Sequence, residues 1–176
     1  PLWVAALRSR KVTADSLRDL LRAAIGSPDT AVIPERVDPT DGPSVFRAAF
    51  AAARDAWSAH RDTVESELFH SPALNRARYK VPTLTTLIED LDRWFADEEP
   101  RDPTLPGNLE KLTPDALARG TKKGQDPPSS PFFSACTALL ATRPVFERQL
   151  LTLRRLLVEY ARAEHGPRKV ERNCLS

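Results

Sequence analysis

Apolar residues recur along most of this chain at spacings of three and four, the period of an amphipathic helix, and no stretch sustains the strict alternation of a strand. Leu17, Leu20, Leu21, Ala24 and Ile25 predict a helix that Thr13 or Asp15 caps and Gly26 ends. A Pro- and Asp-rich loop follows, roughly from Ser27 to Pro43. Phe46, Ala49, Phe50, Ala53, Trp57, His60, Val64 and Leu68 predict a long helix, with Asp41 and Pro43 as its start signals. His60 lies on that apolar stripe and reads as a core or boundary residue rather than a ligand. Leu84, Leu87, Ile88, Leu91, Trp94 and Phe95 give the clearest helix, expected to end near Pro100, with Trp94 and Phe95 as core anchors.

Prolines and glycines break up the stretch from Arg101 to Pro131, leaving room only for short helical turns such as Pro114 to Gly120 capped by Thr113. Phe132, Phe133, Cys136, Leu139 and Leu140 predict a short helix. Pro144 then opens a last long one, lined by Val145, Phe146, Leu150, Leu153, Leu156, Leu157 and Tyr160, which Gly166-Pro167 is expected to break or kink. No internal repeat is visible. The fold class expected is all-α: one irregular helical domain over residues 1–176, with long Pro/Gly-rich connecting loops.

Composition adds mainly exclusions. The chain has 176 residues, enough for a single core, with 41% apolar and 28% charged residues. Its apolar runs are far shorter than the roughly 20 residues that span a bilayer, so no membrane partner is expected. It begins at Pro1 and holds no Met, and is expected to be a piece of a longer protein. Cys136 and Cys174 show no CxxC spacing, and Cys136, set among apolar residues, reads as a small core residue. His60, His70 and His165 are scattered, so no metal site is expected. No GxxxxGK[ST] loop, GxSxG motif or Cys/His arrangement occurs, and the acids at Glu89–Asp92 and Asp97–Glu99 read as solvated charges on a polar helix face or its exposed end. No catalytic residue and no cofactor are expected in the chain itself.

The formal net charge is only +2, but its distribution is uneven. Glu89, Asp90, Asp92, Asp97, Glu98 and Glu99 crowd one stretch. The window from Ser71 to Thr86 holds Arg76, Arg78 and Lys80 with no acid, and a third stretch carries Arg119, Lys122 and Lys123. Segregation of this kind steers a polyanion to one side of a molecule, although solvated charged faces are commoner.

Several stretches resemble, in order and at compatible spacing, the 1B subdomain of the RecB-type exodeoxyribonuclease V beta subunit, within the UvrD-like DNA helicases. Leu87-Ile88-Glu89-Asp90-Leu91-Asp92-Arg93-Trp94-Phe95 resembles the family's helix with a Trp near its end. Leu109-Glu110-Lys111-Leu112-Thr113 is similar to a LEKFS/T segment, and Thr121-Lys122-Lys123-Gly124 to a TKxG turn leading to Pro131-Phe132-Phe133. Arg168-Lys169-Val170-Glu171-Arg172-Asn173-Cys174-Leu175-Ser176 resembles the KRRRxxLxFDDL return to the first motor domain, stopping short of its Phe-Asp-Asp. The likeness covers roughly Val81 to Ser176. Before Val81 only a compatible helical layout is seen, with Thr13–Leu21 similar to helices inserted early in the 1B region.

The resemblance implies a helical insertion in a motor domain, an accessory arm that touches duplex DNA ahead of strand separation. The parent would be a cytoplasmic ATP-dependent helicase and exonuclease acting in double-strand break repair and recombination. ATP, Mg²⁺ and the nuclease chemistry would belong to parts of the parent absent here, and the partners would be double-stranded DNA, the rest of the helicase polypeptide and RecC- and RecD-type subunits. Cations that neutralise phosphates release counterions, which gives sequence-independent, salt-sensitive affinity. The residues expected to make such contacts are Arg76, Arg78 and Lys80, with Tyr79 a weaker candidate against a base, ribose or phosphate, and Thr121, Lys122 and Lys123. The alternative for these residues is a set of solvated loop cations. Arg154 and Arg155 read as salt-bridge or packing residues, and Arg168, Lys169 and Arg172 as part of the motor-domain junction. The alternative function is a protein-interaction module that docks partner subunits; a stand-alone helical enzyme lacks a supporting residue constellation.

Overall fold

A computed structural model of the chain describes residues 2–26 and 41–173, with side chains described at positions 2, 4–26 and 41–164. Most of the loop expected from Ser27 to Pro43 therefore lies outside the described residues. So do Cys174, the side chain of His165 and the junction side chains Arg168, Lys169 and Arg172.

The fold is all-α. Seven α-helices and one 3-10 turn are found among the described residues, and no strand. In chain order they are α1 (Leu2–Ser9), α2 (Ala14–Gly26), α3 (Gly42–His70), α4 (Val81–Phe95), the 3-10 turn Leu109–Leu112, α5 (Pro114–Gly120), α6 (Pro131–Ala141) and α7 (Arg143–Asn173). None of the described helices is long and apolar enough to cross a membrane. The chain packs as two compact units, one formed by Pro1–Leu2 with Pro43–Arg143, the other by Trp3–Gly42 with Pro144–Ser176.

In the second unit, α1 ends where Lys11 turns left-handed (φ 54°). The Lys11 and Val12 amides bond the Arg8 and Leu7 carbonyls at 2.9 and 3.0 Å, the pattern of a Schellman cap. Thr13 and Ser16 then cap α2 reciprocally. The Ser16 amide donates to Thr13 Oγ1 at 3.1 Å and the Thr13 amide to Ser16 Oγ at 3.0 Å. Arg10 bonds Glu147 at 2.6 Å with its guanidinium over the Phe146 ring, and Arg155 pairs with Glu159 along α7, as its sequence position suggests. Sequence pattern did not anticipate α1. Nor does Gly166-Pro167 interrupt α7, which runs on to Asn173. A proline removes one ladder bond at a cost of about 3 kcal/mol, and helical hydrogen bonds on either side hold the rest in register.

In the first unit, α3 buries Phe46, Phe50, Ala53, Trp57, Val64 and Leu68, spaced by three, four and seven. From α4 come Leu84, Leu87, Ile88, Leu91 and Phe95. Phe50 and Trp94 meet edge to face at 4.8 Å, and Trp57 meets Phe132 of α6 at the same separation, the offset geometries that aromatic quadrupoles favour. Trp94 remains half-buried while Phe95 is buried, and His60 sits at the boundary of the stripe. Cys136 is wholly buried, as its apolar neighbours suggest, and burial pushes its thiol up to about 12. Thr113 Oγ1 accepts the Ala116 amide to start α5, and Ser130 Oγ accepts the Phe132 amide to start α6.

Candidate nucleic-acid interface

The two basic segments picked out by charge lie side by side in the first unit, although they are far apart in sequence. Leu74 and Thr121 form an antiparallel bridge. The Asn75 amide donates to Gly120 O at 2.9 Å and the Lys122 amide to Ala73 O at 2.8 Å. Asn75 Oδ1 accepts the Ala77 amide at 2.9 Å, a local turn that sets the path of Arg76, Arg78 and Lys80. On the other side the Gln125 amide closes a turn on Lys122 O at 3.1 Å, and Gly124 occupies the left-handed region there (φ 81°).

Within this patch the candidate residues take different roles. Lys80, Lys122 and Lys123 are exposed, as are Arg78 and Arg119. Arg78 Nη1 donates to Arg119 O at 3.1 Å, and Lys122 Nζ to Pro72 O at 2.8 Å, which fixes both side chains beside the bridge. Thr121 Oγ1 donates to Leu117 O at 2.8 Å, so its hydroxyl closes α5. Among the described residues no carboxylate forms an ion pair with Arg78, Lys80, Arg119, Lys122 or Lys123. Arg119, absent from the residues expected to bind, belongs to the patch through its carbonyl and its exposed position. Its signal was the charge run it shares with Lys122 and Lys123.

Arg76 and Tyr79 do not present the groups expected of them. The Arg76 guanidinium donates to three carbonyls at the end of α3, Leu68 O at 2.6 Å, Phe69 O at 2.8 Å and Ser71 O at 2.9 Å. It closes the C-terminus of that helix, where carbonyls lack ladder partners and the helix dipole favours a cation. Tyr79 is 1% exposed, which removes it as a stacking surface. Its hydroxyl donates to Lys111 O at 3.0 Å, its ring lies against Gly120, and burial raises its pKa. Tyr79 is the anchor under the patch.

A second cluster joins α3 to α4. Arg61 grips Asp92 with two parallel bonds, Nε to Oδ1 at 2.9 Å and Nη2 to Oδ2 at 2.8 Å, and Trp57 Nε1 donates to the same Oδ1 at 3.1 Å. Arg61 also reaches Glu65 at 2.8 Å and Asp62 at 3.3 Å. The Arg61 hydrogen bonds hold Asp92 below the usual carboxylate range against the opposing effect of burial, and Asp92 in turn raises Arg61. Asp92 is thus a partnered strut between helices, not one of the freely solvated acids expected there. Glu89, Asp97, Glu98 and Glu99 are exposed, as expected. Beside Arg61 and Asp92 lies an open groove of about 640 Å³, lined on α3 by Asp62, Glu65 and Phe69 and on α4 by Ile88 and Glu89. No group of three or more His, Cys, Asp or Glu among the described residues is placed to hold a metal ion. In comparisons with known proteins, no family model and no curated protein matches this sequence.

Proposed function

We propose that this chain is a non-catalytic arm that holds duplex DNA by its phosphates, the 1B subdomain of a RecB-type exodeoxyribonuclease V beta subunit. ATP and Mg²⁺ would be handled by the remainder of that helicase polypeptide. The observation that carries the reading is the joining of two acid-free basic segments into one patch through main-chain hydrogen bonds. The resemblance of Leu87–Phe95, Leu109–Thr113 and Thr121–Gly124 to that family supplies the context. Lysine ammoniums and exposed arginines without carboxylate partners suit phosphate contact, and a motor that tracks any sequence needs contacts of this sequence-blind kind. With Tyr79 buried, the patch offers no aromatic face on which to stack a base.

The test is binding of a fluorescent duplex to the chain across a salt series. Lys80→Glu with Lys123→Glu is the informative pair, because among the described residues no backbone carbonyl depends on either ammonium, whereas Arg76 and Lys122 hold carbonyls of the scaffold. Each lost phosphate contact lowers the slope of log K against log salt by about 0.9, so the pair is expected to lower it by roughly 2. Unchanged affinity and slope in a folded double variant would remove the DNA assignment.

A further inference from the structure

The groove between α3 and α4 has a composition that the DNA reading leaves unused. Four carboxylates line it, Asp62, Glu65, Glu89 and Asp92, against the Arg61 guanidinium and the His70 ring. Arg61 is shared among three of them, and Asp62 remains 97% exposed. Among the lining residues Phe69 is apolar and half-buried, whereas Ile88 is buried and offers little surface. At about 640 Å³ the groove falls in the size range of ligand-binding clefts. A polyanion is repelled here by the excess of carboxylates.

We propose that this groove docks a basic amphipathic segment of a partner protein, its apolar side chains over Phe69 and its Lys or Arg side chains against Asp62 and Glu89. Charge complementarity selects the occupant: the groove lacks cations in proportion to its acids, and a segment carrying cations on both sides of an apolar stripe supplies them. The inference stands apart from the DNA reading, since none of these residues belongs to the basic patch.

The probe is a labelled amphipathic Lys/Leu helical peptide, titrated with the intact chain, beside a Lys/Ser peptide of equal charge. Asp62→Lys with Glu89→Lys is expected to weaken the Lys/Leu peptide at least about tenfold, as loss of close charge pairs does. Glu98→Lys with Glu99→Lys, the same charge change beyond the end of α4, should leave binding within about twofold, since neither residue lines the groove. Phe69→Ala should weaken the Lys/Leu peptide and leave the Lys/Ser peptide unaffected. Equal losses in the two charge-reversal pairs, or equal binding of the two peptides, would overturn the proposal. So would failure of the Lys/Leu peptide to bind the unmodified chain.

Discussion

Replacing Gly120 with Ala tests the packing that holds the basic patch in place. Gly120 is the last residue of α5 and its φ lies outside the left-handed region, so its backbone accepts an alanine without strain. On propensity alone the change would stabilise a helix by about 0.5–1 kcal/mol. The structure reverses that sign. A Cβ at Gly120 overlaps the Tyr79 ring at Cε2 and comes to 3.1 Å from both Cζ and the hydroxyl oxygen. The ring cannot move aside, because it is buried and its hydroxyl is held by Lys111 O. Forcing a methyl into such a contact costs about 1–3 kcal/mol, so net destabilisation of roughly 1–2 kcal/mol is expected. Urea denaturation of the chain and of Gly120→Ala, each with and without Tyr79→Leu, separates the terms as a double-mutant cycle. Once the ring is gone, Gly120→Ala should become neutral or stabilising. If Gly120→Ala raises stability equally in both backgrounds, the ring does not rest on Gly120 and the account of Tyr79 as anchor is wrong.

Three further outcomes follow from the same geometry. Asp92→Asn should destabilise by about 1 kcal/mol at neutral pH, a modest figure because both charged partners are over one-third exposed and screened by solvent. Since the folded state lowers the Asp92 pKa, its contribution is complete above the ordinary carboxylate value near 3.9 and vanishes as pH falls through the lowered one. Denaturation series of the chain and the variant should therefore converge in strong acid, and a constant gap would contradict the ion pair. Thr113→Ala removes the acceptor for the Ala116 amide and should cost about 0.5–2 kcal/mol in the same melts. Because α5 carries the carbonyls of Arg119 and Gly120, duplex affinity should fall with it. In a Cys174→Ser background, Cys136 should resist maleimide until denaturant unfolds the chain, since its thiol is buried and raised to about 12. Prompt labelling in buffer would place it outside the core.

The all-α class and most helices were legible because their signals are local. Thr113-Pro114 starts α5, and the apolar spacing along α3 and α4 marks the faces they bury. Helix α1 escaped because its eight residues include no acid in the first turn and too few turns to establish a period. The basic patch was half legible. Charge picked out both segments, but their pairing depends on contacts between residues 73–75 and 120–122, and nothing local announces it. The roles of Arg76 and Tyr79 were hidden for another reason. Their partners are main-chain carbonyls, and every residue carries one, so no residue type reveals where the bonds go. Asp92 looked like one more acid on a polar face because Arg61 stands thirty-one positions earlier.

The bonds that stitch the two segments bear on the entropy of any later event at that surface. The amides of Asn75, Tyr79 and Lys122 lie outside helices yet are bonded to Gly120, Asn75 and Ala73 carbonyls at 2.8–2.9 Å. Their hydrogen exchange should follow the opening of the buried core beneath them rather than the fast fraying of ordinary loops. Ordering a residue costs roughly 1–2 kcal/mol of conformational freedom, and here folding has already ordered the backbone that carries the cations. An anion arriving at Lys80 or Lys123 restricts only side-chain rotamers, so association should show a small entropy penalty and little change in heat capacity. Stiffness in a segment without regular secondary structure is what turns scattered lysines into a surface of fixed shape.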